Sequence, residues 1–451
     1  MPTKTSKAAL NATTPEILNA IRNSSSAAYQ NVVPIATSKN FRSVGQAILG
    51  NPTFANEFLN QLVNRIGYVM VTSKMYANPW SYFKKGLMEY GESIEEIFVN
   101  IANAHTYNIE TSETQVFKRE IPDVASAFHI LNYRTFYKAT IQEEQLRQAF
   151  LSLDGVTDLI ARITDAMYSG ANYDEFLVMK YMIAKHILDG TLYPVQIPEA
   201  SAENMKTIAS TFKKVSNDLE FMNTEYNQMG VNTYTNKDEQ YLIVNSALDA
   251  SLDVEVLASA FNMDRAEFMG HRVLVDSFGK LDQERLADLM KDDPNYAPLT
   301  SDELAQLDAI PAVLVSRDWF QIYDNLQKFT EIYNSQGLYW NYFLHVWKIF
   351  SVSPFSNGVS FVAGTPTVTA ISVTPTTATA AAGGTVQITP TVSVTSMAPQ
   401  AVSYSVEGNA TVNNTGLVTI NSDASAGDTI TVTVASTFDP SKTATVTITV
   451  A

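Results

Sequence analysis

The chain changes its chemistry once, abruptly, near residue 365, and that step constrains its fold more than any motif does. From Thr365 to Ala451, 22 of 87 residues are threonine and only five are charged: Glu407, Asp423, Asp428, Asp439 and Lys442. All four tryptophans, Trp80, Trp319, Trp340 and Trp347, come earlier. A step of this kind marks a domain boundary, and Gly364-Thr365-Pro366 supplies the turn chemistry of a hinge. Two differently built units are therefore expected.

The smaller unit, 365–451, reads as strands. Val402, Tyr404 and Val406, then Ile430, Val432 and Val434, then Val446, Ile448 and Val450 each alternate with small, mostly hydroxylated residues. Period-two patterns separated by Gly, Asn and Asp predict short antiparallel strands in a β-sandwich. Threonine suits its outer face, where the branched Cβ fits the pleat and the hydroxyl meets water.

The body, 1–364, reads as α+β. Residues 1–50 are small and polar with one helical candidate, Pro15–Arg22, and are expected to form an arm ordered mainly by partners. Phe54, Phe58, Leu62 and Ile66 follow at helical spacing. Residues 78–140 carry scattered aromatics and no long helical stripe, which predicts long strands with a loop between them. Helical faces follow at Leu146, Phe150, Leu153, Ile160, Ile163 and Met167, then at Leu177, Tyr181, Ala184 and Leu188, stopping at Gly190. Met205, Ile208, Phe212, Val215 and Leu219 make a third. Beyond them, apolar runs at 241, 271, 312 and 359 alternate with helical segments, as in a mixed sheet covered by helices.

Charge and composition exclude several functions. The chain carries 46 acidic against 30 basic residues, a formal charge of −16, with no clustered Lys and Arg to track a phosphate backbone. With no cysteine, disulfides, thiolate metal sites and cysteine nucleophiles are ruled out. The opening residues lack the apolar core of a signal peptide, and no run of 18 apolar residues offers a membrane span, so residence in the cytoplasm is expected. His105, His129, His186, His271 and His345 show no paired metal spacing and read as packed residues. Glu92, Glu95 and Glu96 could form an acid/base pair only at a controlled separation, and read instead as solvated or interface carboxylates. No phosphate-binding, dinucleotide or nucleophile-elbow motif is present, so no enzyme, cofactor or metal is expected.

The excursion of about 60 residues is the informative part. A strand-rich segment that cannot bury both faces on its own domain needs a partner. Lys84, Lys85, Lys118 and Arg119 lie on or beside it, and either belong to ordinary surface or pair with acidic stretches of another copy.

At these residues the chain resembles a known family. NPWSYFKKG with GESIEEIF, VFKREIPDVASAFH, FYKATIQEEQLRQAF, ALDASLDVEVLASAFNMDRAEFMG, VSRDWFQIYDNL and GLYWNYFLHVWKIFSVSPFSNGVSFV are similar, in order, to major capsid proteins of short-tailed phages of the phi-29 type. ISVTP, GGTVQIT and VSYSVEGNATVNNTGLVTI resemble a bacterial immunoglobulin-like group 2 domain, with Tyr404 where that family commonly has Trp. The resemblance implies a Hong Kong 97-type capsid fold with a C-terminal immunoglobulin-like β-sandwich. Its parts would be an N-terminal arm (1–50) and a capsid domain (51–364) with an extended loop at about 82–140, a peripheral domain at about 142–200 and an axial domain at about 201–364. It also implies pentamers and hexamers of a prolate icosahedral head around double-stranded DNA, with scaffold and portal proteins as separate partners and no membrane. Subunit-interface candidates on and beside the loop are Phe83, Lys84, Lys85, Glu92, Glu95, Glu96, Tyr107, Lys118 and Arg119. Two other classes stay open: a bacterial surface or adhesion protein, for which a signal peptide would be expected, and a carbohydrate-active enzyme with an accessory sandwich, which would need a carboxylate pair in a cleft.

Overall fold

The computed structural model describes residues 14–37, 39–51, 53–54, 57–58, 76–88, 91–106, 119–142, 155–255, 271–291, 293, 296–337 and 339–451. It divides into two compact units, Met1–Met75 with Ile141–Ala166, and Tyr76–Thr140 with Met167–Ala451.

In the first unit, α1 (Thr14–Ser24), α2 (Ala27–Val32) and α3 (Phe41–Leu49) follow one another. Ser26 Oγ accepts from the Tyr29 amide at 3.3 Å and caps α2. Arg22 Nε donates to the Val33 carbonyl at 2.7 Å, and Asn19 pairs with both backbone groups of Ala36 at 2.8 and 2.7 Å. Tyr29, Val33, Ala36, Val44 and Ile48 bury together, with Phe54 edge-on to Tyr29 at 5.8 Å. This corrects the expectation of an arm ordered mainly by partners. Pro15–Arg22 is helical, but two further helices build a core with it. The contributing segments are short and broken by Pro34, so no single stripe is long enough to read as periodic. Leu62 and Ile66 lie outside the described residues.

The second unit holds β1 (Lys84–Leu87), β2 (Ser93–Val99), β3 (Val124–Ile130), β4 (Tyr133–Gln142), α4 (Gly155–Leu188, of which the part from Met167 belongs here), β5 (Tyr193–Ile197), α5 (Met205–Asp218), β6 (Gln240–Asn245), α6 (Ser246–Glu255), β7 (His271–Val275), α7 (Gln283–Met290), α8 (Ser301–Asp308), β8 (Ala312–Ser316), β9 (Phe320–Asn334), β10 (Tyr339–Val352) and β11 (Gly358–Ala363). A mixed sheet runs β5-β11-β8-β6-β7, parallel at β5/β11 and β6/β7. Every residue of central β8 is buried, as a short apolar run covered on both faces requires. On one face the expected stripe of α5, Met205, Ile208, Phe212 and Val215 with Leu219, packs on Leu242, Val244, Leu314 and Phe361. Each such side chain contributes about 1.5–3 kcal/mol of apolar burial. Ile243, Val313, Val315 and Val362 join the larger core with Ile183 and Ile187 of α4, Leu286 of α7 and Leu307 of α8.

A second sheet, β1-β9-β10-β4, is dominated by the long β9–β10 hairpin. The faces expected as two separate helices are one: α4 runs unbroken through Gly170, over which the Tyr137 ring of β4 packs. It ends as expected, with Gly190 in the left-handed region at φ +67°. Leu146, Phe150 and Leu153 lie outside the described residues.

The C-terminal strands are β12 (Thr367–Thr374), β13 (Thr377–Ala380), β14 (Thr385–Gln387), β15 (Thr389–Thr395), β16 (Val402–Glu407), β17 (Ala410–Val412), β18 (Leu417–Ile420), β19 (Thr429–Ser436) and β20 (Thr443–Val450). Sheets β13-β20-β19-β16 and β14-β18-β17, with the pair β12-β15, enclose their own core of Ile388, Val418, Ile430, Val432, Val446 and Ile448. Gly364 makes the expected turn at φ +98°, but the sandwich does not hang from it freely. A Cβ on Gly190 would stand 2.7 Å from the Ala398 carbonyl, Gln400 Nε2 donates to the Leu188 carbonyl at 3.1 Å, and Met397 packs against the body core. A seam therefore backs the linker where a hinge was expected.

Candidate assembly surface

The excursion leaves the body through two fixed roots. Trp80 precedes the short turn Ser81–Phe83 and Phe83 closes it; Phe83 is 1% exposed, its ring 4.6 Å from that of Phe320 and 4.9 Å from that of Tyr241. Expected at a subunit interface, Phe83 is instead part of its own core. Next to it, Lys84 Nζ lies 2.6 Å from Asp324 and 3.2 Å from Glu175. Lys348 pairs with the same two carboxylates, 2.6 Å from Asp324. Asn78 Nδ2 also donates to Glu175 at 2.6 Å. Two cations and two anions neutralise one another, which is the condition for burying them. Burial alone would raise the Asp324 carboxyl, but Lys348 and Lys84 outweigh it and hold it below the usual carboxylate range. Burial likewise works against the charged Lys84, yet Glu175 and Asp324 lift it above the ordinary lysine value. Lys85 pairs with Asp318. Two of the three candidate interface lysines, Lys84 and Lys85, are thus engaged within their own subunit. At the second root, Asn132 bonds both backbone groups of Phe350 at 2.8 and 2.9 Å.

Between the roots, β2 and β3 form an antiparallel ribbon in register from Ser93↔Ile130 to Val99↔Val124. Both of its faces mix apolar and polar residues. The inner face carries Ile94, Glu96, Phe98, Ala125, Ala127 and His129. His129 is 2% exposed, with Nδ1 2.7 Å from Ser351 Oγ and Nε2 3.0 Å from Glu96 Oε2. Ser353 Oγ donates to Glu96 Oε1 at 2.8 Å, and Phe98 stacks on Phe355 at 5.5 Å. The outer face is apolar and wet: Ile97 is 59% exposed, Phe128 66% and Ile130 63%, joined by Val99 and Val124. Ile101 and Ile121 extend the strip along the chain, Ile121 being 89% exposed.

The remaining interface candidates separate by face. Glu95 is exposed on the outer face, opposite Phe128. Glu92 bonds Arg134 at 2.7 Å, and the guanidinium of Arg134 lies over the Trp347 ring at 5.2 Å. Glu96 is on the inner face, bonded as described. Arg119 is exposed, whereas Tyr107 and Lys118 lie outside the described residues. Charge drew attention to this segment, and the apolar side chains were missed. The signal for them was the alternation in SIEEIFV and VASAFHI, which marks one dry face without saying which. Of the other histidines, His186 is packed as expected, edge-on to Trp319 at 5.3 Å with burial pulling its pKa down to about 4, whereas His105 and His271 are exposed, which corrects the expectation for those two. Among the described residues, no group of three or more His, Asp or Glu side chains is placed to hold a metal, and no helix is long and apolar enough to cross a membrane.

A family model described as the Phi29-like phage major capsid protein matches residues 18–362 of this chain. The chain belongs to that family. As a Phi29-like phage major capsid protein it is a structural component of the virion and works by shell assembly. The major capsid protein of Bacillus phage B103 is 37% identical over 435 residues, 94% of this chain and 90% of that protein. That of Bacillus phage PZA is 36% identical over 416 residues, 90% and 86% respectively. In backbone, the chain is similar to the capsid structure of Staphylococcus phage Andhra, with TM-score 0.53 and 14% identity over 66% of this chain and 87% of that one. The family match ends at residue 362, before the sandwich begins. The match thus covers the body that carries the ribbon.

Proposed function

We propose that the subunit builds the shell by laying the outer face of its ribbon against a neighbouring copy. One observation carries the reading: Ile97, Val99, Val124, Phe128 and Ile130 point to solvent, while Glu96 and His129 of the same ribbon are turned inward. Each of these side chains contributes on the order of 1 kcal/mol when covered. A subunit that gives one such contact and receives another holds several partners at once, so modest contacts sum to a stable shell. Head-to-tail contacts that close on rotation make rings, in this reading pentamers and hexamers of a prolate icosahedral head.

The body is, in this reading, a Hong Kong 97-type capsid domain, with the ribbon as its extended loop, the region from about 142 to 200 as its peripheral domain and the region from about 201 to 364 as its axial domain. The sandwich is an immunoglobulin-like domain of the bacterial group 2 type, its core filled beside Gly416 by Tyr404. Double-stranded DNA is the contents, and a formal charge of −16 suits a wall from which DNA can leave. Scaffold and portal proteins are separate partners. The double variant Ile97→Ser, Phe128→Ser tests the reading by light scattering and negative-stain microscopy. Folded subunits that form no shells are expected; shells of normal size and yield would overturn it.

A further inference from the structure

The inner face of the ribbon raises a separate question. A two-stranded ribbon with one face in water is marginal by itself, and a slip of one residue would turn its apolar side chains inward. Something must hold both its register and its seat. Phe98 on Phe355 supplies one apolar contact, and Asn232 Nδ2 reaches Asn100 Oδ1 at 3.1 Å beside the end of β2. Between them runs a continuous polar chain, Ser351 to His129 to Glu96 to Ser353, with separations of 2.7, 3.0 and 2.8 Å.

The chain crosses every boundary that has to be fixed. Glu96 is on β2, His129 on β3, Ser351 on β10, and Ser353 immediately beyond β10. Glu96 opposes Ala127 and His129 opposes Ile94 in the ladder, so their bond runs diagonally between the strands. A register slip would break it. Ser353 is itself held by the body, its amide donating to the Trp319 carbonyl at 2.8 Å. Two of the four members are buried, His129 at 2% and Ser353 at 2% exposure, and both oxygens of Glu96 are used. The small side chains Ala125 and Ala127 leave room for the chain on the same face.

We infer that Glu96, His129, Ser351 and Ser353 form a latch that fixes the register of the ribbon and seats it on its own subunit. A polar latch differs from an apolar one in how it opens. Water replaces each lost hydrogen bond at small net change, whereas an opened apolar contact has no substitute. The latch therefore holds the ribbon in place and lets it move when a neighbour offers a larger contact. These four are positioning residues. Their effect on the shell rests on the reading above, but the latch itself is a property of the single subunit.

The test is hydrogen exchange of the full-length unassembled subunit, read by mass spectrometry on peptides covering 93–99 and 124–130. His129→Leu and Ser353→Ala should each speed exchange there at least tenfold, with less than a twofold change in α5 and β8. Glu96→Gln, which keeps a bonding side chain, should stay within about threefold of the original chain. Glu95→Gln, on the opposite face, should change nothing. Exchange within twofold of the original in both latch variants would overturn the inference, as would equal acceleration in ribbon and body. Should His129→Leu fail to fold, Ser353→Ala decides alone. Because exchange is read before assembly, a failed latch and a failed docking face give different results.

Discussion

The ribbon and the C-terminal sandwich share a period-two alternation, but only the sandwich covers its large apolar side chains. In β19 and β20 the apolar residues Ile430, Val432, Val446 and Ile448 are buried, and threonines cover the outside. In β2 and β3 the buried residue is His129, bonded to Glu96, while Ile97, Phe128 and Ile130 face water. A period-two pattern specifies that one face differs from the other; a covering element decides which is dry. The sandwich supplies its own cover and is complete. The ribbon is covered only on its inner side.

The largest difference should come from the same substitution in the two places. Val432→Asp puts a charge into the closed core and should cost more than about 4 kcal/mol, unfolding the sandwich. Phe128→Asp should change subunit stability by less than about 0.5 kcal/mol while abolishing shells. Urea unfolding of both variants, with shell yield, reads the contrast. Similar stability losses would erase it.

The roots come next. Lys348→Met leaves Glu175, 3% exposed, and Asp324 with only Lys84 between them. Breaking a buried network in this way costs about 3–5 kcal/mol, and the urea midpoint should fall accordingly without a change in the sandwich.

The smallest effect is that of pH, and its sign follows from His186. Its folded pKa of about 4 lies below the ordinary 6.5, so the folded state resists protonation. Stability is full above pH 6.5 and declines as pH falls toward 4, by up to about 3 kcal/mol. Asp324, depressed by its lysines, adds a loss only below the usual carboxylate range, because its contribution is present above that range and disappears as pH falls through its folded value. Melting curves of the original chain and of His186→Phe should diverge below pH 6. Parallel curves would refute the assignment.

Much of this was legible in advance where one element carries the whole signal. All five stripe residues from Met205 to Leu219 are buried, and the alternation from Val402 to Val450 became strands of one sandwich. Legibility failed where partners are distant in the chain. Lys84 and Lys85 read as ordinary surface charge or as partners for acidic stretches of another copy, yet their partners Asp324 and Asp318 lie in the same chain, more than 230 residues away. The helices around Tyr29 and Val44 escaped notice because three short segments share one core. At the ribbon, carboxylates and lysines attracted the reading, while the surface left for a partner is mainly aliphatic and aromatic.

The chain has no cysteine, so a single thiol can report on the outer face of the ribbon. Ser126 is exposed there, opposite Ile97. With Ser126→Cys, a maleimide should label dissociated subunits rapidly and assembled shells at least tenfold more slowly. Equal labelling rates in the two states would contradict the claim that a second copy covers this face.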